Sequence, residues 1–149
     1  MKRFFLSILV IVPIIGSSQT LPSFEEVISL RSVGGVKLSA DGKHVAYTVQ
    51  TTDWNENRYD NEIWLSKNGA SPFQLTNTPK NSSSGPEFSP EGSWIAFLAD
   101  RGNKAQIYVM RLEGGEARAV TKEEEGISSF EWHPSGMKFI FQKQEKEDK

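Results

Sequence analysis

Apolar residues occur along this chain in short runs. Val45-Ala46-Tyr47, Ile63-Trp64-Leu65, Trp94-Ile95-Ala96-Phe97, Ile107-Tyr108-Val109 and Phe139-Ile140-Phe141 are separated by clusters of Gly, Pro, Asn and Asp. Short runs rich in Ile, Val, Phe, Trp and Tyr, bounded by turn formers, predict β-strands. One early stretch departs from this. Ser23 is a suitable N-cap and Glu25 and Glu26 favour a first helical turn, so 23–30 is expected to form one turn or two.

The runs recur in phase. Leu38-Ser39-Ala40-Asp41-Gly42-Lys43-His44-Val45-Ala46-Tyr47 lines up with Phe88-Ser89-Pro90-Glu91-Gly92-Ser93-Trp94-Ile95-Ala96-Phe97 and with Trp132-His133-Pro134-Ser135-Gly136-Met137-Lys138-Phe139-Ile140-Phe141. The glycines Gly42, Gly92 and Gly136 lie 50 and 44 residues apart. Asn61-Glu62-Ile63-Trp64-Leu65 then matches Ala105-Gln106-Ile107-Tyr108-Val109, and Gln74-Leu75-Thr76 matches Ala119-Val120-Thr121.

Each unit reads as four strands, in the second unit about 86–88, 94–99, 106–112 and 117–120. Asp41-Gly42 and Glu91-Gly92 put a residue tolerant of positive φ where a hairpin reverses. Pro90 and Pro134 fix φ beside that reversal. A repeated four-stranded unit of about 45 residues is the signature of a propeller blade, whereas a β-sandwich has no reason to repeat such a unit in phase. The expected fold is all-β, a partial β-propeller of four-stranded antiparallel blades, about two and a half in number. The blades fall at about 36–76, 86–121 and 127–142, after a lead-in with a short helix at 19–35 and before a charged tail at 143–149.

The N-terminus changes the picture of where such a domain works. Lys2 and Arg3 precede an apolar run from Phe4 to Ile15, then Gly16-Ser17-Ser18. That order predicts a secretory signal peptide over 1–18, cleaved before Gln19. The run is too short to span a bilayer, which takes about 20 apolar residues. The expected location is periplasmic or secreted, with no stable membrane span after cleavage. With no cysteine in the chain, there is neither a disulfide nor a thiol for lipid attachment, which suits a bacterial periplasm. The formal charge of −2 becomes −4 without Lys2 and Arg3, and no basic face points to nucleic acid.

Acyl-transfer catalysis by serine needs a nucleophile elbow, a histidine and a carboxylate. Gly69-Ala70-Ser71-Pro72-Phe73 and Gly126-Ile127-Ser128-Ser129-Phe130 begin the elbow pattern but lack its second glycine. The two histidines, His44 and His133, fall at repeat positions held by Trp94 and Ser89 in the second unit, so both read as structural or surface residues. Asp53, Asn55, Asn57 and Asp60 have calcium-like spacing, but Arg58 and Trp64 stand where a calcium loop places Gly and Glu. They are expected to form a polar loop between the second and third strands. Glu123, Glu124 and Glu125 read as a solvated charge run, and Trp54, Trp64, Trp94 and Trp132 as packing aromatics. No phosphate loop or Cys/His metal set is present. The expected assignment is no catalytic, cofactor-binding or metal-binding residue.

The Ser-x-Asp-Gly-Lys-x-Val-Ala-Tyr and Ser-Pro-Glu-Gly-x-Trp-Ile-Ala-Phe strings, each followed by Ile-Trp or Ile-Tyr and then Leu-Thr or Val-Thr, resemble TolB-type propeller repeats. Leu21-Pro22-Ser23-Phe24-Glu25-Glu26-Val27-Ile28-Ser29-Leu30-Arg31, leading into Leu38-Ser39-Ala40-Asp41-Gly42, is similar to the start of exported bacterial serine peptidases of the prolyl oligopeptidase family, in the dipeptidyl and acylaminoacyl peptidase branch. The charged stretch 142–149 resembles an insertion that follows the third blade there. The resemblance implies a propeller that restricts entry of short peptides to a C-terminal α/β-hydrolase domain holding Ser, Asp and His. None of those three maps onto this sequence. The implied partners are that hydrolase domain, the remaining blades and short peptides. Alternatives are a non-enzymatic TolB-like periplasmic scaffold, or a propeller fused to another hydrolase such as an amidohydrolase. An open stack of blades leaves apolar faces and the Phe139–Phe141 edge uncovered, so the isolated chain is expected to be marginally stable or prone to aggregate.

Overall fold

The computed structural model describes residues 21–79, 81–102, 104–143 and 145. The expected signal peptide, 1–18, lies outside the described residues, as does most of the charged tail. Helix α1 (Phe24–Ile28) starts from a capping box. The Ser23 hydroxyl accepts from Glu26 N–H at 3.1 Å, and the Glu26 carboxylate accepts from Ser23 N–H at 2.7 Å. The helix buries no residue. The Thr52 hydroxyl, donating to the Ile28 carbonyl, ties its end to the first sheet.

Ten strands follow among the described residues. β1 (Ser32–Leu38), β2 (His44–Asp53), β3 (Arg58–Lys67) and β4 (Phe73–Gln74) form one antiparallel sheet in chain order. β5 (Ser83–Phe88), β6 (Trp94–Ala99), β7 (Gln106–Arg111) and β8 (Arg118–Ala119) repeat it, and β9 (Ile127–Trp132) pairs with β10 (Phe139–Lys143). The first strands of successive sheets converge, β1 against β5 and β5 against β9. This is a partial propeller of antiparallel four-stranded blades.

The repeated glycine does what its position in the sequence requires. Gly42, Gly92 and Gly136 have φ of 73°, 75° and 69°, a left-handed conformation that costs glycine little. Each donates its N–H three residues back, to Ser39, Ser89 and His133, at 2.8–2.9 Å. Asp41 adds a brace in the first blade, accepting from the Ser39 hydroxyl at 2.6 Å and from Lys43 N–H at 3.1 Å. These bonds hold its carboxyl below the usual range.

Several boundaries differ from those read in the sequence, the second blade for instance starting at Ser83 ahead of position 86. The first blade starts at Ser32, ahead of position 36, because Gly34 and Gly35 stay within β1. Gly34 pairs with Thr48, the register shifts before Lys37, and Gly35 takes φ 58°, so a β-bulge absorbs the second glycine and the strand continues. The expected polar loop around Asp53–Asp60 is a tight hairpin instead. β2 and β3 pair continuously from His44↔Lys67 to Asp53↔Arg58, leaving 54–57 as the turn, with Asn57 at φ 48°. Lys143, assigned to the tail, ends β10 and forms an ion pair with Glu123 at 2.8 Å.

Strand period sets the core. On β6, Ile95, Phe97 and Ala99 face the first blade, where Ala46, Ile63 and Leu65 meet them. The intervening Ala96 faces the third, with Ile107, Val109, Ile127 and Phe130. Phe97, Ile63, Leu65, Ile95 and Ile107 are fully buried, and each such side chain contributes about 1.5–3 kcal/mol.

Candidate functional site

The joints between blades are held by buried and part-buried side-chain hydrogen bonds. Glu62, midway along β3, is 5 % exposed. Its carboxylate accepts from the Thr76 hydroxyl and, at 2.7 Å, from Thr78 N–H, while Thr76 Oγ1 accepts from Ile63 N–H at 2.9 Å. Burial raises the Glu62 pKa above its ordinary value, against the opposing pull of these hydrogen bonds. The second joint repeats the geometry with an amide. Gln106 Oε1 accepts from the Thr121 hydroxyl and from Glu123 N–H, both at 2.9 Å, and Thr121 Oγ1 accepts from Ile107 N–H at 2.9 Å. Ser82 then fastens the linker at both sides. Its hydroxyl accepts from Asn61 N–H at 3.3 Å, and its N–H donates to Asp100 at 2.7 Å.

The residues singled out by sequence are scattered. The His44 ring packs 6.4 Å from Phe88. Ser71 lies exposed between β3 and β4. Ser128 donates to the Gln142 carbonyl at 3.2 Å. Asp53 accepts from the N–H groups of Asn55 and Glu56 and lies 3.8 Å from Arg58, while Asp60 lies 3.0 Å from the same guanidinium. These carboxylates are engaged with the hairpin, and no group of three potential metal ligands exists among the described residues. Glu123 and Glu125 pair with Lys143 and Lys104. The Arg111 and Arg118 guanidiniums lie 4.9 and 5.7 Å from the centre of the Trp94 ring. Trp132 donates to the Glu87 carbonyl at 3.2 Å, stitching β9 to β5.

One serine–histidine contact has no motif in the sequence. His133 Nδ1 lies 2.9 Å from Ser135 Oγ and accepts from Ser135 N–H at 3.1 Å. It closes the exposed β9–β10 turn, as Ser39 and Asp41 brace the β1–β2 turn of the first blade. A nucleophile needs a base that is itself oriented by a third group in a water-excluding site, and this turn supplies neither.

Two clefts remain. One, about 480 Å³, lies between the second and third blades, bordered by Trp94, Arg118, Trp132 and Phe139. The other, about 320 Å³, opens between β1 and β5, and its border carries no ionised side chain. The wall where first strands converge is therefore built from small and neutral polar groups, joined at one end by the Lys37–Glu87 ion pair at 2.5 Å. Such a surface can line a passage, and it offers hydrogen bonds without a nucleophile.

Comparison with known proteins places this architecture. Residues 24–149 match the TolB beta propeller domain family. The uncharacterized peptidase YuxL of Bacillus subtilis is 35% identical over 115 residues, covering 75% of this chain and 17% of that protein. Dipeptidyl-peptidase 5 of Porphyromonas gingivalis is 30% identical over 141 residues, covering 87% and 20%. The acylaminoacyl peptidase of Pyrococcus horikoshii superposes with a TM-score of 0.68 at 25% identity, covering 83% and 19%. TolB of Acinetobacter baumannii shares the fold, with a TM-score of 0.61 at 19% identity over 77% of this chain and 27% of that one. The chain spans about a fifth of the length of these curated peptidases. By fold, repeat and family match, it belongs to the TolB β-propeller domain family, and its relatives include peptidases that carry such a propeller as one part of a longer chain.

Proposed function

We propose that this chain is the propeller part of an exported serine peptidase of the prolyl oligopeptidase family, and that it restricts passage of short peptides to an α/β-hydrolase domain outside these 149 residues. The observation that carries this reading is the pattern of coverage. Peptidases match over most of this chain and over only about a fifth of their own length. The neutral polar wall between β1 and β5 fits a passage for peptides, and the catalytic Ser, Asp and His are assigned to the remainder of the longer protein.

The test is expression of the complete reading frame. It is expected to hydrolyse short blocked peptides with sensitivity to serine-directed phosphonates, while residues 19–149 alone give no turnover. Removing the blades from the longer protein should relax its limit on substrate length. A complete protein with no turnover, or one whose size limit survives loss of the blades, overturns the proposal. Export is tested separately: the mature N-terminus is expected at Gln19 by mass spectrometry. A second reading, a non-enzymatic periplasmic scaffold, draws on the fold shared with TolB of Acinetobacter baumannii. It requires a complete protein without hydrolytic activity.

A further inference from the structure

We infer that the cleft between β1 and β5 binds a neutral peptide main chain through its amide groups; this rests on the peptidase reading and gives that passage a specific contact. The first observation is a buried hydroxyl. Thr48 is 9 % exposed, it borders the cleft, and no protein group hydrogen-bonds its Oγ1. A buried polar group left unmade costs free energy comparable to the loss of a hydrogen bond, so a partner arriving through the cleft recovers that cost.

The second observation is the backbone around it. Gly35 and Gly85 occupy matching positions in the two blades, at φ 58° and 60°, and each sits in a bulge. A bulge takes a short stretch of main chain out of the ladder. At Gly35 the lack of a side chain keeps the approach to Thr48 open, since a Cβ there would meet Thr48 Oγ1 at 3.4 Å.

The third observation is the neighbouring amide pair. Gln50 Nε2 donates to Asn61 Oδ1 at 3.3 Å, which leaves Gln50 Oε1 as an acceptor and Asn61 Nδ2 as a donor. With the Thr48 hydroxyl, the cleft presents one acceptor, one donor and one group that is either. A peptide unit carries the complementary N–H and C=O. An ion is disfavoured, because no Asp, Glu, Lys or Arg borders the cleft and burying an uncompensated charge is costly.

The absence of cysteine from the chain permits a direct test by disulfide capture. Ser84→Cys, at the cleft, is equilibrated under reducing buffer with three mixed disulfides: a neutral acetyl-glycyl-glycine amide of cysteamine, bare cysteamine and mercaptopropionate. Capture is read on the tryptic peptide by mass spectrometry, with Ser71→Cys as the exposed control. The neutral peptide is expected to be captured about tenfold more than either charged probe at Ser84→Cys and without preference at Ser71→Cys. Adding Thr48→Val, which keeps shape and removes the hydroxyl, should cut capture about fivefold without lowering the melting temperature. Adding Gln50→Glu should turn the preference toward cysteamine. Equal capture of all three probes, the same preference at Ser71→Cys, or unchanged capture with Thr48→Val overturns the inference. Turnover by the complete protein together with failed capture leaves the peptidase reading standing; capture without turnover does the reverse.

Discussion

In the first blade the joint to the next is closed by a carboxylate, Glu62, and in the second by an amide, Gln106. Both accept from a threonine hydroxyl and from a main-chain N–H further along the linker. What the position demands is two acceptor lone pairs, supplied by both oxygens of Glu62 and by the single oxygen of Gln106. The amide also donates, from Nε2 to the Glu123 carbonyl at 2.8 Å, a bond a carboxylate cannot make unless protonated. The blades differ too in burial. The second has neighbours on both faces, while the first leaves Val33, Val36 and Leu38 more than 60 % exposed. Equal topology therefore does not mean equal contribution to stability.

The contrast can be broken most severely at Phe97, which fills the space between the blades. Phe97→Ala is expected to cost about 3–5 kcal/mol in denaturant unfolding, whereas Tyr59→Ala, on the exposed flank of the first-blade hairpin, should stay within about 0.5 kcal/mol. Next come the two threonines. Thr76→Val deprives a buried carboxylate of a donor and should cost about 1–3 kcal/mol; Thr121→Val, facing a neutral amide, should cost less by the same measurement.

A smaller effect is expected from Glu62→Gln, which gives the first joint the chemistry of the second. Burial raises the Glu62 pKa above its ordinary 4.5, so the folded chain holds this proton more tightly than the unfolded chain. That contribution is complete below the unfolded value and is lost as pH rises through the folded one. Glu62→Gln should therefore raise the melting temperature at neutral pH and flatten the decline seen in the parent as pH rises from acid. Melting curves that stay parallel across this range would refute the assignment. The smallest change is Lys37→Ala. Its half-exposed ion pair with Glu87 is worth about 0.2–1 kcal/mol, and the difference should shrink in high salt.

Much of this fold was legible in the sequence because the signals were local and repeated. Asp41-Gly42 and its two counterparts announced the hairpins, and Ser23 with Glu26 announced the helix start. The start of the first blade was read too late, at about 36, because Gly34-Gly35 breaks the run of strand formers although it sits inside a bulged strand. The run from Asp53 to Asp60 misled in the opposite sense: its polar residues cross-pair on the surface of a long hairpin, where burial leaves no periodic trace. The joints were half visible. Leu-Thr and Val-Thr stood out as repeats, but only coordinates link each threonine to an acceptor fourteen or fifteen residues earlier. The binding cleft left no motif, because its parts come from four strands in two blades and none is chemically unusual alone.

Ser82 is fastened to Asn61 on one side and to Asp100 on the other, so the linker acts as a wedge of set angle between neighbouring sheets. In a ring assembled from such wedges, an error at one of them is not absorbed where it arises. It accumulates around the circumference and opens at the seam where the last blade returns to the first. Damage to Glu62 or Thr76 would then be felt on the far side of the propeller.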